Sequence, residues 1–445
     1  MRKWIVWSAL VAMLALTACG SQPAGGGSEP AGASNGSAAA PEASAEEPKA
    51  AEGEKVKLSF WYIDTGKRQE IIQDAVEKFM GDHPNVEVEA VQIPNDAYKT
   101  KLSVAMGGGT PPDVFHSWGG GWLKAFANEG QVLDLTGKID ESKFLPAGLG
   151  VAKFDDKVYG APMAMSLVPV YYNKEIFAKY NLQPPETYDE LLAIVDKLNA
   201  EGVIPFAMAN KTKWPAAFFL MYFAERYAGP EIFTEAFERT GRGFDDEGYV
   251  KAGEMIQELV NRNAFNPGFN GLQYDTGQSR QLLYTGKAAM EVQTSGYINN
   301  VREESPDFEA KLGMFPFPAI EGGKGDRSNL VGGVSPVLSV SAASKHPEEA
   351  IALIDALTSV EVGQRFADEA STISAINGVQ YNNEFAKQQF DMLTQAKFMQ
   401  TFYDQTLPPE LAELHKDTTQ ALFGLTMTPE EAAQQMEAKA KEVLE

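Results

Sequence analysis

From Lys57 onward the spacing of apolar positions changes at regular intervals. Lys57–Trp61 (Lys-Leu-Ser-Phe-Trp) reads as a buried strand. Ile71, Ile72, Ala75, Val76 and Phe79 then keep the 3.6-residue spacing of an amphipathic helix. Gly81-Asp82-His83-Pro84-Asn85 stops that helix. Val86–Val91 alternates as a second strand, and Tyr98–Met106 is helical up to Gly107-Gly108-Gly109. Asp113–Phe115 is the next strand and Leu123–Asn128 the next helix, ending at Gly130. This βαβαβα order predicts a mostly parallel, doubly wound sheet.

A second set of elements follows. Val158–Met165 and Val168–Tyr172 are strand-like, Asn173-Lys174 starts a helix through Tyr180, and Pro184-Pro185-Glu186-Thr187 opens a helix to Glu201. Pro205–Ala209 reads as a strand and Pro215–Tyr227 as a strongly apolar helix. Ala288–Val292, Leu312–Phe315 and Pro336–Val340 are further strands; Pro347–Thr358 and Glu361–Ala367 are helices. From Asn383 the pattern is almost entirely helical, with breaks at Pro408-Pro409 and Pro429. Two lobes are expected, one on the strands before about Ala164 and one on those after it.

Pro111–Trp122 stands out. A proline pair precedes the strand end Val114-Phe115, followed by His116-Ser117, Trp118, three glycines and Trp122. Glycine permits close backbone approach, and ligands of open α/β sheets sit beyond the carboxyl ends of the strands. The stretch is expected to form one wall of a binding cleft, with Trp122 the most readily explained by packing.

Composition narrows the function. The chain has 445 residues, 44% apolar, and a net charge of −23. Such acidity argues against nucleic acid, which needs a basic footprint, and against a surface lying on anionic lipid. Met1-Arg2-Lys3 followed by the apolar Trp4–Leu16 has the form of an export signal, too short to span a bilayer. It ends at Leu16-Thr17-Ala18-Cys19-Gly20, which resembles the bacterial lipobox; that resemblance implies a lipid on Cys19, the only cysteine of the chain. The alternative is an ordinary secretory signal cleaved nearby. Gly20–Glu54, rich in Gly, Ser, Ala, Pro and Glu, reads as a tether reaching about 30–35 Å as a flexible coil.

Enzyme signatures are missing: there is no G-x-x-x-x-G-K-[ST], H-E-x-x-H or G-x-S-x-G. With four histidines and one cysteine, no metal site or cofactor is expected. Of the histidines only His116 falls in a candidate cleft. Carboxylates are plentiful, so a glycosidase-like acid/base pair stays open. Aromatics say more. Trp61-Tyr62, Trp118, Trp122, Tyr171-Tyr172, Trp214 and Tyr297 fall at strand ends or loop–helix junctions beside Gly, Pro, Asn or Asp. Each alone is more often core; together they suit a sugar, whose C–H face packs on a ring. Its hydroxyls would need rim partners such as Asp64, Asn95-Asp96, His116, Gln293 and Asp404-Gln405.

Several short segments, in order, resemble the extracellular solute-binding proteins of carbohydrate ABC importers, the maltose- and oligosaccharide-binding branch. They are Phe60-Trp61, Tyr98–Leu102, Pro112–Phe115, Tyr159–Pro162, Val170–Lys174, Gly286–Met290, Gly332-Gly333-Val334 with Ser341–Ala352, and Thr428–Ala432. The resemblance covers nearly all of Lys57–Leu444 and implies an α/β, two-lobe periplasmic-binding-protein-like fold with the ligand between the lobes. By it, residues 55–164 with 334–375 form the first lobe and 166–330 with 380–445 the second, with crossings near 162–165, 331–334 and 375–379. It implies sugar contacts from Trp61, Tyr62, Asp64, Asn95, His116, Trp118, Tyr172, Trp214, Tyr297, Gly333 and Asp404. Tyr297 stands where relatives often place Trp. The implied activity is capture without reaction, by a monomer anchored outside the cell membrane through Cys19, and delivery to ABC permease subunits. The rival readings are an exported carbohydrate-active enzyme and a lipoprotein sensor or adhesin; a polyol or glycerol-phosphate ester is another possible ligand.

Overall fold

The computed structural model describes residues 55–444; Cys19, the export signal and the tether lie outside them. The first sheet grows from the strand Val56–Tyr62, which pairs in parallel with Val86–Gln92 on one side and Val114–Ser117 on the other. Val337–Val340 runs antiparallel beside Val114–Ser117, and Ala161–Pro162 closes the far edge. The helix Gly66–Asp82 buries Ile71, Ile72, Ala75, Val76 and Phe79, the stripe its periodicity predicts. It packs against Pro347–Leu357 and Val360–Ala370, so late elements return to the first lobe.

The second sheet has the order Leu312–Phe315, Val170–Asn173, Ala288–Val292, Ile204–Phe206. Only Val170–Asn173 runs against its neighbours. Ala288–Val292 is buried at every position, as a central strand must be, and it includes a carboxylate, Glu291. The helix Trp214–Ala228 is apolar nearly all round and almost wholly buried, because Glu247–Asn261 and the C-terminal Pro409–Phe423 enclose it.

A third, small sheet is built from the segments that run between the other two. Ala164–Leu167 pairs antiparallel with Leu330–Val334 and with Ile373–Ser374, and Met399–Thr401 lies parallel to Leu330–Val334. The architecture is α/β with two helix-flanked lobes. Two readings of local structure change. The run 158–165 is not one strand but is broken into Lys157–Val158, Ala161–Pro162 and the start of Ala164–Leu167, because Gly160 and Pro162 interrupt a continuous ladder. The helix expected from Leu123 begins at Gly120.

Candidate functional site

A cleft of about 690 Å3 opens between the two lobes, within the range of small-molecule sites. Its first wall starts where the strand Val56–Tyr62 ends. Asp64 follows on the loop, and Arg68, one helical turn on, holds its carboxylate at 2.7 Å. His116 lies behind, its Nδ1 3.8 Å from the same carboxylate. Burial pushes the Asp64 carboxyl up, but the Arg68 charge and His116 outweigh it and the net shift is downward. Burial also lowers the His116 pKa, which favours the neutral ring.

The next part of this wall is the start of the helix Asn95–Gly107. Asn95, Asp96 and Lys99 line the cleft there. Lys99 Nζ donates to Asp404 at 2.9 Å and sits 4.9 Å above the Trp118 ring. Partial burial raises the Asp404 pKa, but Lys99 and Lys416 bring it below the usual value.

On the facing wall Trp214 meets Tyr274 edge-on with ring centres 5.0 Å apart, and its indole N–H reaches Asp96 at 3.4 Å. Arg280 lies 4.6 Å over the Tyr274 ring and donates through Nε to Glu304 at 2.9 Å. Phe402 completes this wall. Among the described residues no group of three or more His, Cys, Asp or Glu is gathered to hold a metal ion.

Of the residues singled out from sequence, Asp64, Asn95, Trp118, Trp214 and Asp404 line the cleft. So do the rim residues Asp96 and Gln405, whereas Gln293 is fully buried. The other six residues expected to contact sugar do not line it, each for a packing reason. Tyr62 shares a strand face with Phe60, stacks on it at 5.2 Å and is 1% exposed. Trp61 points to the opposite face, under the ammonium of Lys101 at 4.8 Å. His116 is fully buried beneath Asp64 and reaches the cleft only through its neighbours Asp64, Trp118 and Ser335. Tyr172 packs on Phe177 and Phe315, against Gly313, where a Cβ would fall 2.3 Å from its ring. Tyr297 is fully buried and stacked on Tyr171 at 4.8 Å; its neighbours Thr294, Gly296 and Asn299 face the cleft instead. Gly333 is buried against Phe402, whose ring a Cβ would meet at 2.6 Å.

The glycines of Pro111–Trp122 also take a different role. A Cβ on Gly120 would stand 2.2 Å from the Gln405 carbonyl oxygen, and one on Gly121 would stand 2.4 Å from that of Thr406. They admit the backbone that carries Asp404, not a ligand. Trp122 packs on Trp118 and Phe126 away from the cleft. Arg68, Lys99, Tyr274, Arg280 and Phe402 also line the cleft, outside the residues expected from sequence. Arg68 had a local signal, four residues after Asp64 at a helix start; Tyr274 and Phe402 come from irregular segments without a period.

The architecture and the interlobe cleft define a two-lobe binding protein. Residues 64–364 match the model of the bacterial extracellular solute-binding protein family, and the chain belongs to that family. It is 24% identical to the multiple sugar-binding protein of Streptococcus mutans, over 74% of this chain and 78% of that protein. It is 28% identical to the galactooligosaccharide-binding protein of Bacillus subtilis, over 69% of this chain and 70% of that one. Among solved structures, one from work on xylan utilization by Caldanaerobius polysaccharolyticus aligns with a TM-score of 0.80 and 29% identity, over 86% of this chain and all of that one. A chitin oligosaccharide binding protein aligns with a TM-score of 0.81 at 23% identity, over 88% of this chain and all of that one.

Proposed function

We propose that this chain captures a neutral sugar, an oligosaccharide, by closing its two lobes and delivers it to an ABC import permease. One observation carries the choice of ligand: each of the five cations lining the cleft already has a carboxylate partner. Arg68 is held by Asp64, Lys99 by Asp404, Lys213 by Asp417, Arg280 by Glu304 and Lys416 by Glu413. No lining cation is left over for a phosphate or a uronate. The rings of Trp118, Trp214, Tyr274 and Phe402 offer apolar planes, and Asp96 Oδ2, buried without a partner, is an acceptor for a hydroxyl. The names of the sugar-binding relatives support the same reading.

The ligand stabilises closure because only the closed state contacts it from both sides. Bending falls in the crossings near 162–165, 331–334 and 375–379, between a first lobe of 55–164 with 334–375 and a second of 166–330 with 380–445. Among the described residues no helix is long and apolar enough to cross a membrane, and the family is extracellular. A lipid on Cys19 would hold the monomer at the membrane; Cys19→Ala would then release it to the medium. No turnover is proposed, and incubation with oligosaccharides should leave them uncleaved. A thermal-shift screen over mono-, di- and trisaccharides tests the ligand class: a rise with a neutral sugar supports it, and a rise with sugar phosphates alone overturns it.

A further inference from the structure

Two helices of the first lobe start at the cleft without a cap of their own. Thr65, before Gly66–Asp82, and Pro94, before Asn95–Gly107, make no side-chain capping bond. The first-turn N–H groups of a helix need partners from somewhere. Here the second lobe supplies them. Lys67 N–H donates to Asn299 Oδ1 at 3.1 Å, and Asn299 Nδ2 donates to the Thr65 carbonyl at 2.7 Å. Asp96 N–H donates to Asp275 Oδ2 at 2.9 Å. Elsewhere the side-chain caps come from the helix's own N-cap residue, as at Asn173, Thr187, Asp246, Ser359 and Asn383.

Gly66 shows how closely one of these contacts is fitted. Its φ is +57°, and a Cβ there would stand 2.8 Å from Asn299 Nδ2 and 2.7 Å from Glu303 Oε2. A bare backbone is what lets Asn299 reach the helix start. The carboxylate of Asp275 also sits at the positive end of the helix Asn95–Gly107.

We propose that Asn299 and Asp275 are positioning residues that cap two first-lobe helices from across the cleft, so that closure is held in part by the protein itself. All three bonds run from protein to protein and break together when the lobes part. Loss of a cap in helices and proteins corresponds to about a two- to thirty-fold change in an equilibrium, and each bond shifts the closed-to-open ratio on that scale. The inference rests on the two-lobe fold and not on the identity of the ligand, so it stands or falls separately from the sugar reading.

The test is made on the full chain without added ligand, by small-angle X-ray scattering and by amide hydrogen exchange at Lys67 and Asp96. Asn299→Ala is expected to raise the radius of gyration and to speed exchange at both amides by about two-fold or more. Gly66→Ala, made on the other lobe, is expected to do the same. Asp275→Asn, which keeps an acceptor, should remain closer to the parent protein than Asp275→Ala. Faster exchange at Lys67 alone, with unchanged scattering in both Asn299→Ala and Gly66→Ala, would mean a local cap and overturn the proposal.

Discussion

Trp214 is the side chain on which the proposed ligand depends most. It sits between an apolar helix and the cleft, with Tyr274 at its edge and its N–H on Asp96. Truncating a buried aromatic anchor costs about 2 kcal/mol, or roughly thirty-fold in affinity. Calorimetry of Trp214→Ala with the sugar that binds best should show that loss; unchanged affinity would remove the stacking role. Glu291 poses a different question. It is 2% exposed, its Oε1 accepts from Ser279 Oγ at 3.1 Å, and its Oε2 has no partner. Burial raises its pKa to about 7, with Arg280 opposing. A carboxyl whose folded pKa lies above its unfolded value of 4.5 costs stability as the pH rises through that window. Glu291→Gln is therefore expected to melt higher than the parent at pH 8.5 and nearly the same at pH 4.5. An equal shift at both pH values would contradict the assignment.

At the scale of elements, the close approach of Gly120–Asn128 to the short helix Tyr403–Thr406 fixes where Asp404 enters the cleft. Gly120→Ala combines a φ of +62° with a Cβ 2.2 Å from a carbonyl oxygen, and should destabilise by about 2 kcal/mol or more. Gly130→Ala has a similar φ of +69° but nothing within 4 Å; it should cost about 1 kcal/mol, the strain alone. Equal melting temperatures for the two variants would show that the approach is not tight. The same elements explain what was legible beforehand. The stripe of Gly66–Asp82 and the largely apolar, fully buried strand Ala288–Val292 were set by period and burial, so the α/β class and the order of elements followed from the chain itself. The cleft was only partly legible. Proximity to a strand end puts a residue near a ligand but does not choose its face. Tyr62, His116 and Tyr297 lie beside cleft residues in sequence and point into the core. Conversely, Lys99 and Asp404 meet only because two distant segments fold together, which no local spacing records.

In the whole molecule a ring-lined cleft whose cations are all paired lies between two lobes, which the proposed capture closes over the sugar. Scattering with and without the bound sugar should show the radius of gyration fall on binding; no change would separate binding from closure. The pairing of every lining cation gives the most direct test. The purified protein is titrated by calorimetry with neutral xylo-, malto- and galacto-oligosaccharides and with uronate oligomers of matching length. Saturable binding of at least one neutral oligosaccharide is expected, with a negative heat-capacity change, and at least ten-fold weaker binding of the uronates. Binding of the uronates alone, or of none of the sugars, would contradict it.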